Sequence, residues 1–276
     1  MPECHGQVEL TYTRCQHRTE LTHQYSCAPL LVQRPFYPDP PVCQTVILHT
    51  AGGMVGGDRL SQQVTLGPAA QALVTTATAA RVYRTAGLPC SQKTQITLAP
   101  QAQLAWLPQE TIIFNQAIYQ QHTQIEIAAT ASLVFWEITR LGRSARGEKF
   151  QQGRWRSATE VYQAGQPVWI DRQQVISPSE ILTSPHGLAN QPVIGTLCYL
   201  GQSLSPEHLQ YLAQAKPADA IAGMTNLPIG LLCRYRGNST SQAKQWFSQI
   251  WQGINQIQQT PTQSIPRVWQ LVDSQL

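Results

Sequence analysis

The sequence predicts a mainly β protein, with many short strands in one large β-rich body and a few α-helices near the C-terminus. Three observations support this fold class. Short segments rich in β-branched residues recur at fairly even spacing along most of the chain. Many of them alternate apolar and polar residues, as strands with one buried face do. The alternation of strands with helices that marks parallel α/β folds does not occur in the pattern.

Strand patterns follow one another from the N-terminus. The first alternating segment is Val8 to Tyr12, and a proline-rich connection from Arg34 to Pro41 comes before the next group. Further strand patterns lie at 42–48, 60–66, 72–84, 94–98, 102–107, 112–114, 119–128, 131–141, 154–156, 160–162 and 168–172. The alanines of 72–84 also permit a helix, but threonine and valine there favour a strand.

The C-terminal part has a different pattern. A helix is predicted at about 205–215, because Ser205 is a capping residue followed by Pro206 and Glu207. Residues 220–236 predict two strands around Asn226 to Pro228. A second helix is predicted at 239–257, where aromatic and aliphatic residues recur at helical spacing. This stripe is more typical of core than of a partner surface. We expect one domain over residues 1–276.

Composition limits the classes of function. Only 12% of the 276 residues are charged, so the surface repels itself weakly and the sequence suggests limited solubility or an obligate partner. The net charge of +4 is not clustered, which argues against nucleic-acid binding. No apolar run has the length of a membrane span. Seven irregularly spaced cysteines and the lack of a signal-like N-terminus predict reduced thiols in the cytoplasm.

The stretch from Leu48 to Leu60 is the most unusual in the chain, with two glycine pairs followed by two charged residues: Gly52, Gly53, Gly56, Gly57, Asp58 and Arg59. It lies between two predicted strands. Neither the Walker pattern nor the dinucleotide fingerprint is present, and no helix follows. The sequence therefore favours a tight glycine-built turn that fixes Asp58 and Arg59, over a phosphate-binding loop.

Acidic residues are scarce, so those near apolar runs are candidates for chemistry. Glu110 follows an apolar segment, and Glu137 lies inside one, on the same side of its strand as Phe135 and Thr139. An isolated buried carboxylate is costly. The favoured interpretation of Glu137 is a solvated carboxylate or one paired with Arg140 or Arg143. The alternative is a carboxylate lining a polar cavity.

Residue spacing indicates no catalytic centre. No nucleophile elbow and no paired histidines on a helix occur, and His49, His122 and His186 are tied to no nucleophile. Six cysteines and histidines near the N-terminus are candidate metal ligands, although none has the spacing of a closed zinc site: Cys4, His5, Cys15, His17, His23 and Cys27. Ordinary thiols and surface imidazoles are the favoured interpretation.

Several ordered blocks together resemble the urease accessory protein UreD family, also called UreH. They are the glycine stretch 52–60, then 75–84, 108–114 and 136–143 with Gly147 and Glu148 beyond, along with shorter matches at 28–36 and 231–235. The resemblance covers nearly the whole chain. Arg81 stands where the family more often has lysine, a departure that keeps the charge.

The resemblance implies a mostly β fold and a non-enzymatic chaperone. It implies that the chain acts with UreF and UreG on urease apoprotein and helps to deliver nickel through an internal polar route. No tightly bound cofactor is implied, since the nickel is in transit, and a homodimer within the accessory complex is compatible with it. Two other classes stay open: a β-rich, hydrolase-type enzyme with an unrecognised site, and a structural adaptor that never contacts metal.

The resemblance also suggests roles for particular residues. A nickel ion in transit needs loosely held oxygen or imidazole ligands. We expect Asp58 and Glu137 to be such ligands, with Thr75 and Thr76 as polar lining. For Glu110 and Glu148, a structural role is favoured. Asp58 has a structural alternative, in which its carboxylate caps amides of the turn. The four glycines and Arg59 are expected to be structural.

Overall fold

Two stacked β-sheets form the body of the computed structural model, which describes residues 5–143, 146–260 and 264–269. Sheet A has the spatial order β14-β13-β11-β8-β5-β1-β2. Its strands are β1 (His5–Cys15), β2 (Arg18–Cys27), β5 (Arg59–Leu66), β8 (Cys90–Leu98), β11 (Ile118–Ile127), β13 (Gly153–Gln163) and β14 (Gln166–Ser177). The sheet has two edge strands, β14 and β2.

Sheet B has the main order β16-β17-β15-β12-β9-β6-β4-β3, with two short strands, β7 and β10, beside the second half of β12. Its strands are β3 (Leu30–Val32), β4 (Cys43–His49), β6 (Gln71–Thr76), β7 (Ala80–Val82), β9 (Gln103–Trp106), β10 (Thr111–Ile113), β12 (Ser132–Leu141), β15 (Val193–Leu200), β16 (Ile221–Leu227) and β17 (Gly230–Gly237). A 3-10 turn, Glu180–Leu182, lies between β14 and β15.

The chain crosses from one sheet to the other after almost every central strand. Consequently β4, β6, β9 and β12 are parallel neighbours in sheet B, and β5, β8, β11 and β13 are parallel neighbours in sheet A. Antiparallel strands complete both ends of this coil. The body is therefore β-solenoid-like, and the predicted fold class is confirmed. The single domain over 1–276 stays a prediction.

Two helices cover the outer face of sheet B. Helix α1 (Pro206–Ala213) begins at Ser205, whose hydroxyl accepts from the His208 amide, and α2 (Thr240–Ile257) begins at Ser239 in the same way. Both predicted helices are confirmed. The stripe of α2 is buried in one apolar cluster with Trp136 of β12. It is core, as expected: Ala243, Trp246, Phe247, Ile250, Trp251 and Ile254.

The strand predicted over 72–84 is broken in the structure. Strand β6 ends at Thr76 and β7 begins at Ala80, while β9 and β10 are separated by residues 107–110. Pro108 cannot donate to a ladder, and the side chain of Thr76 instead accepts from the Gln109 amide at 2.9 Å. The two breaks, at 77–79 and 107–110, lie side by side and interrupt the hydrogen-bonded ladder of sheet B at one place.

Candidate functional site

A row of polar side chains crosses the interior between the sheets, and we call it the polar lane. Strand register places its members opposite one another, because paired residues point to the same face. Sheet A contributes Gln62, Gln92, Thr94, Gln121, Thr123, Ser157, Thr159, Asp171 and Gln173. Sheet B contributes Thr76, Glu137, Thr139, Thr196 and Arg234. Apolar layers flank the lane, for example Ile96, Ile125 and Val161 on one side.

The first half of the lane is hollow. A cavity of about 220 Å³ runs from the glycine stretch to Glu137, between residues of both sheets. Its exposed lining residues form the mouth: Ala51, Gly52, Thr78 and Arg81. Near the mouth, His49 also faces the cavity, and burial lowers the pKa of its imidazole while the charge of Asp58 opposes this shift.

The glycine stretch forms the rim of this mouth as it crosses from β4 to β5. Gly53 has φ +153°, and a Cβ there would lie 2.6 Å from the carbonyl oxygen of Arg81. The Met54 amide donates to that same carbonyl at 2.8 Å, so the stretch packs directly on β7. Only glycine allows this approach at position 53. The prediction of a tight glycine-built segment is consistent with this geometry, although the segment connects two sheets.

Asp58 ties its own turn together. Its Oδ2 accepts from the Val55 amide at 2.8 Å, and its amide donates to the Val55 carbonyl at 3.1 Å. This is the structural alternative that the sequence leaves open. The carboxylate lies outside the cavity lining, and its charge acts on His49 at the mouth. A ligand role for Asp58 stays a prediction.

Glu137 lies at the inner end of the cavity, in the middle of the lane. Three neutral side chains of sheet A donate to its carboxylate: Gln121 at 2.5 Å, Ser157 at 3.1 Å and Thr123 at 3.3 Å. The residue also lines the cavity and is half-buried. No described cation forms an ion pair with it. The arginine pairing favoured from the sequence therefore does not occur among the described residues, and Glu137 instead lines a polar cavity, which is the alternative left open from the sequence.

Burial raises the pKa of Glu137 to about 7, against the lowering effect of its three hydrogen bonds. The negative charge of Asp171 adds to the increase. Arg140, one of the expected partners, donates instead to the carbonyl of Asn238. Glu137 is thus a carboxylate poised between its neutral and charged forms at neutral pH, and it faces a space that can hold a ligand.

The second half of the lane is closed by a hydrogen-bonded clasp. Arg234 binds Asp171 with both terminal nitrogens, at 2.7 and 2.8 Å, and also donates to Thr196 at 2.7 Å. Gln173 donates to Asp171 at 2.7 Å and to Thr196 at 3.1 Å. The clasp links β14 of sheet A to β15 and β17 of sheet B. The Arg234 side chain keeps 41% of its surface exposed, so the clasp reaches the protein surface.

The two threonines expected to line a polar route have different places. Thr76 lines the cavity. Thr75 points to the opposite side of sheet B, where its hydroxyl donates to Leu107 at 2.6 Å and accepts from the Trp269 indole at 3.0 Å. The expectation for Thr75 is therefore wrong. Adjacent strand residues point to opposite faces, so at most one of the pair could face the interior.

Glu110 and Glu148 both have structural contacts. Glu148 accepts from the Asn115 amide at 2.9 Å and from the Arg143 guanidinium, which also lies 4.4 Å from the Phe114 ring centre. Burial opposes ionisation there, yet these donors hold the pKa of Glu148 below its usual value. Glu110 accepts a weak bond from Thr240 at the start of α2. These contacts agree with the structural roles favoured from sequence.

Other candidate features do not form a second site. Among the described residues, no three histidine, cysteine or acidic side chains gather where they could hold a metal. That includes His5, Cys15, His17, His23 and Cys27, while Cys4 lies outside the described residues. Within the described ranges 5–143, 146–260 and 264–269, no helix combines the length and apolar character that crossing a membrane requires.

Sequence reasoning missed most of the polar lane. Gln62, Gln92, Thr94, Asp171 and Arg234 were not singled out. The available signal was parity along a strand: Gln121 and Thr123 share one side of β11 with Ile125 and Ile127, which are buried. A polar residue in phase with buried residues is a candidate for the interior.

Fold and lane together define a β-solenoid-like protein whose apolar core is crossed by a row of polar side chains. The sequence comparisons then identify its family. Residues 4–270 match the family model described as UreD urease accessory protein. The chain is 50% identical over 268 residues to the urease accessory protein UreD of Nostoc punctiforme, covering 97% of this chain and 96% of that protein.

Other relatives agree with this match. The UreD protein of Acaryochloris marina is 48% identical over 97% of this chain and 95% of its own length, and that of Synechocystis sp. is 42% identical over 89% and 93%. The chain therefore belongs to the UreD urease accessory protein family. The expected family is confirmed, and the chain is an accessory protein, which excludes the hydrolase-type alternative.

Proposed function

We propose that the chain is a urease maturation chaperone that acts with UreF and UreG on urease apoprotein, and that Ni²⁺ passes through its polar lane. The names of its relatives support a role in urease maturation. The single observation that carries the nickel step is Glu137, a buried carboxylate without a cationic partner at the inner end of a polar cavity. Whether two copies meet in the complex, and the cytoplasmic location, stay predictions.

The chemistry of the lane suits a cation in transit. Its first half offers one carboxylate, with amide and hydroxyl oxygens of Gln62, Thr94 and Thr123 nearby. Ni²⁺ accepts oxygen ligands, whereas a closed set of several strong ligands, such as imidazoles or thiolates, would hold it too tightly for release. A single carboxylate among neutral oxygens therefore favours entry and release. A bound Ni²⁺ would also be the cationic partner of the Glu137 carboxylate, which has none among the described residues.

Reconstituted activation of apo-urease with Ni²⁺, UreF and UreG tests this proposal. We expect Glu137→Gln to retain UreF binding and to slow activation by about 10- to 100-fold, as loss of a group that tunes a metal site does elsewhere. The matched control is Glu126→Gln, which changes a carboxylate on the outer face of β11 in the facing sheet. Wild-type activation by Glu137→Gln would contradict the nickel route.

A second comparison tests whether the carboxylate of Asp58 is structural or a nickel ligand. If its carboxylate only holds the turn, Asp58→Asn lowers stability and leaves activation by the folded chain unchanged. If it receives nickel at the mouth, activation falls while UreF binding is kept. Equilibrium dialysis of ⁶³Ni²⁺ against each variant complex tests the remaining alternative. A structural adaptor would activate urease without any nickel bound to this chain, and Glu137→Gln would not change the bound amount.

A further inference from the structure

The outer face of sheet A, which points away from sheet B, separates its charges. Residues that alternate with those of the polar lane point to this face. Further along the strands the face carries two carboxylates, Glu126 and Glu160. At the end where β8, β11 and β13 begin, every outward charged side chain of these strands and of β14 is basic. We call this end the cationic face, and its charged members are Lys93, Arg154, Arg156 and Arg172.

Strand register places the cationic face around one small residue. Ala158 lies opposite His122 on β11 and Arg172 on β14. His122 in turn lies opposite Lys93 on β8. Arg156 comes two residues before Ala158 and points to the same side. An open cleft of about 450 Å³ lies here, and its lining includes these three cations and His122 but no carboxylate. An anionic group that enters the cleft therefore meets positive charge from three strands.

Most of this positive charge is uncompensated. Arg172 is paired, because its Nη2 lies 2.8 Å from Oε1 of Glu160. Within the part of the chain that the structure describes, no ion pair or side-chain hydrogen bond engages Lys93, Arg154 or Arg156. The ion pair of the face therefore balances a single cation. The other three cations attract negative charge from outside the molecule.

Isoleucines border the cations of this face. Ile118 of β11 and Ile176 of β14 lie opposite Arg154 on its two sides. Ile170 points to the same face of β14, and Ile170 and Ile176 are 43% and 38% exposed. Arginine beside exposed apolar side chains is typical of the surfaces through which proteins bind one another. A free phosphate ion would use the cations and leave the isoleucines in water.

The width of the cationic face also favours a protein over a small anion. Lys93 and Arg172 stand three strands apart, about 14 Å at the usual strand spacing, and a single phosphate group cannot span that separation. We propose that the cationic face binds an acidic segment of a partner protein, with carboxylates on Lys93 and Arg156 and an apolar side chain against Ile176. Such a segment matches the face in charge and in polarity. The inference rests on the proposed function only for the choice of proteins to be tested.

Salt dependence in the wild-type chain identifies the contact before any variant is made. Titration calorimetry without nickel measures binding of the full chain to purified UreF, and then of the resulting complex to apo-urease, at low and at high sodium chloride. A contact between carboxylates and exposed cations weakens as salt rises, because mobile ions screen both charges. We expect one of the two steps to show this loss, and that step is the one that the cationic face makes.

Lys93→Glu combined with Arg156→Glu is the decisive variant. Both side chains are exposed and have no partner among the described residues, so the fold is kept. We expect the salt-sensitive step to weaken by about tenfold or more, and its dependence on salt to fall. The matched control is Lys216→Glu combined with Arg267→Glu, which makes the same charge change on exposed residues on the outer side of sheet B. The control should bind like wild type.

Ile176→Ser tests the apolar part of the contact. The residue is exposed, so the fold tolerates the change. We expect the same step to weaken while its salt dependence stays as in wild type, because no charge is removed. A surface that binds only a small oxyanion would not respond to this variant.

The other outcomes overturn the assignment. Wild-type affinity in the double variant removes it, and so does an equal loss in the control or salt-independent binding at both steps. If Ile176→Ser binds like wild type, and phosphate displaces the partner where chloride of equal ionic strength does not, the face belongs to a small oxyanion. If the wild-type chain binds neither UreF nor urease, the proposed function fails together with this assignment. If the double variant loses docking while Glu137→Gln activates normally, the cationic face stands and the nickel route falls.

Discussion

The two halves of the polar lane each contain one carboxylate, and the two carboxylates have opposite kinds of hydrogen-bond partner. In the hollow half, Glu137 accepts only from neutral donors and faces a cavity. In the clasped half, Asp171 is bound by both terminal nitrogens of Arg234 and by Gln173. A carboxylate compensated by a fixed cation is structural, whereas an uncompensated one is available to a mobile cation. The ion pair at the surface end therefore stabilises the fold, and the lone acid inside is the one that the proposed function assigns to cation binding.

The pH dependence of stability should separate the two halves most strongly. The pKa of Glu137 in the folded chain is about 7, above the ordinary 4.5. Between these values the folded chain holds a proton that the unfolded chain has released, so stability falls as pH rises through this range and levels off above it. Glu137→Gln lacks this fall, and we expect it to gain up to about 3 kcal/mol relative to wild type between pH 4 and 8.

Urea denaturation of the purified full chain from pH 4 to 8 measures this gain. Glu126→Gln serves as the control and should follow the wild-type profile. Parallel profiles for wild type and Glu137→Gln would mean that Glu137 is not held in its unusual environment, and the contrast between the two halves would disappear.

Breaking the clasp should have the next largest effect. Arg234→Leu leaves the carboxylate of Asp171 largely buried beside a single amide donor, and we expect a loss of about 2 kcal/mol in the free energy of unfolding. Arg172→Leu is the matched control, because its pair with Glu160 lies on the outer face with Arg172 69% exposed. That loss should be much smaller than the loss from Arg234→Leu, because solvent screens an exposed pair.

A double variant sharpens this result. Asp171→Leu combined with Arg234→Leu removes both charges, so it should recover most of the stability that Arg234→Leu alone loses. Equal losses from the single variant and the double variant would assign the effect to packing and not to the uncompensated carboxylate.

Ser157→Ala gives the smallest expected effect. The Ser157 hydroxyl donates to Glu137 at 3.1 Å, and this bond is stronger when the carboxylate is ionised. We expect a loss of about 1 kcal/mol at pH 8 and a smaller one at pH 5, measured by the same denaturation series. Equal losses at both pH values would indicate a packing effect of the hydroxyl instead.

The strands and helices could be predicted from local sequence, but the lane could not. Alternation at 119–128, capping by Ser205 and the apolar stripe of 239–257 are local signals, and the elements formed where these signals lie. The lane depends on register between strands far apart in the chain. Asp171 and Arg234 meet across 63 positions of sequence, and no local pattern joins them.

Glu137 illustrates the same limit. Its phase with Phe135 and Thr139 was evident, but the phase does not say whether that face meets solvent or another sheet. The choice depends on Gln121 and Ser157, which belong to strands of the opposite sheet. The expectation that Thr75 lines the polar route was wrong for the opposite reason. Its polar side chain suggested the lane, while its register with β4 and β9 turns it toward Trp269 and the helices.

The coiled path of the chain also governs how this family can change in evolution. Each central turn of the coil adds one strand to each sheet, and each strand of sheet A adds one or two side chains to the lane. Inserting or deleting a whole turn would lengthen or shorten the lane while keeping its lining continuous. A single-residue insertion within β8 or β11 would exchange the lane and surface positions of that strand. Such an insertion would interrupt the lane at one point even if the fold survived.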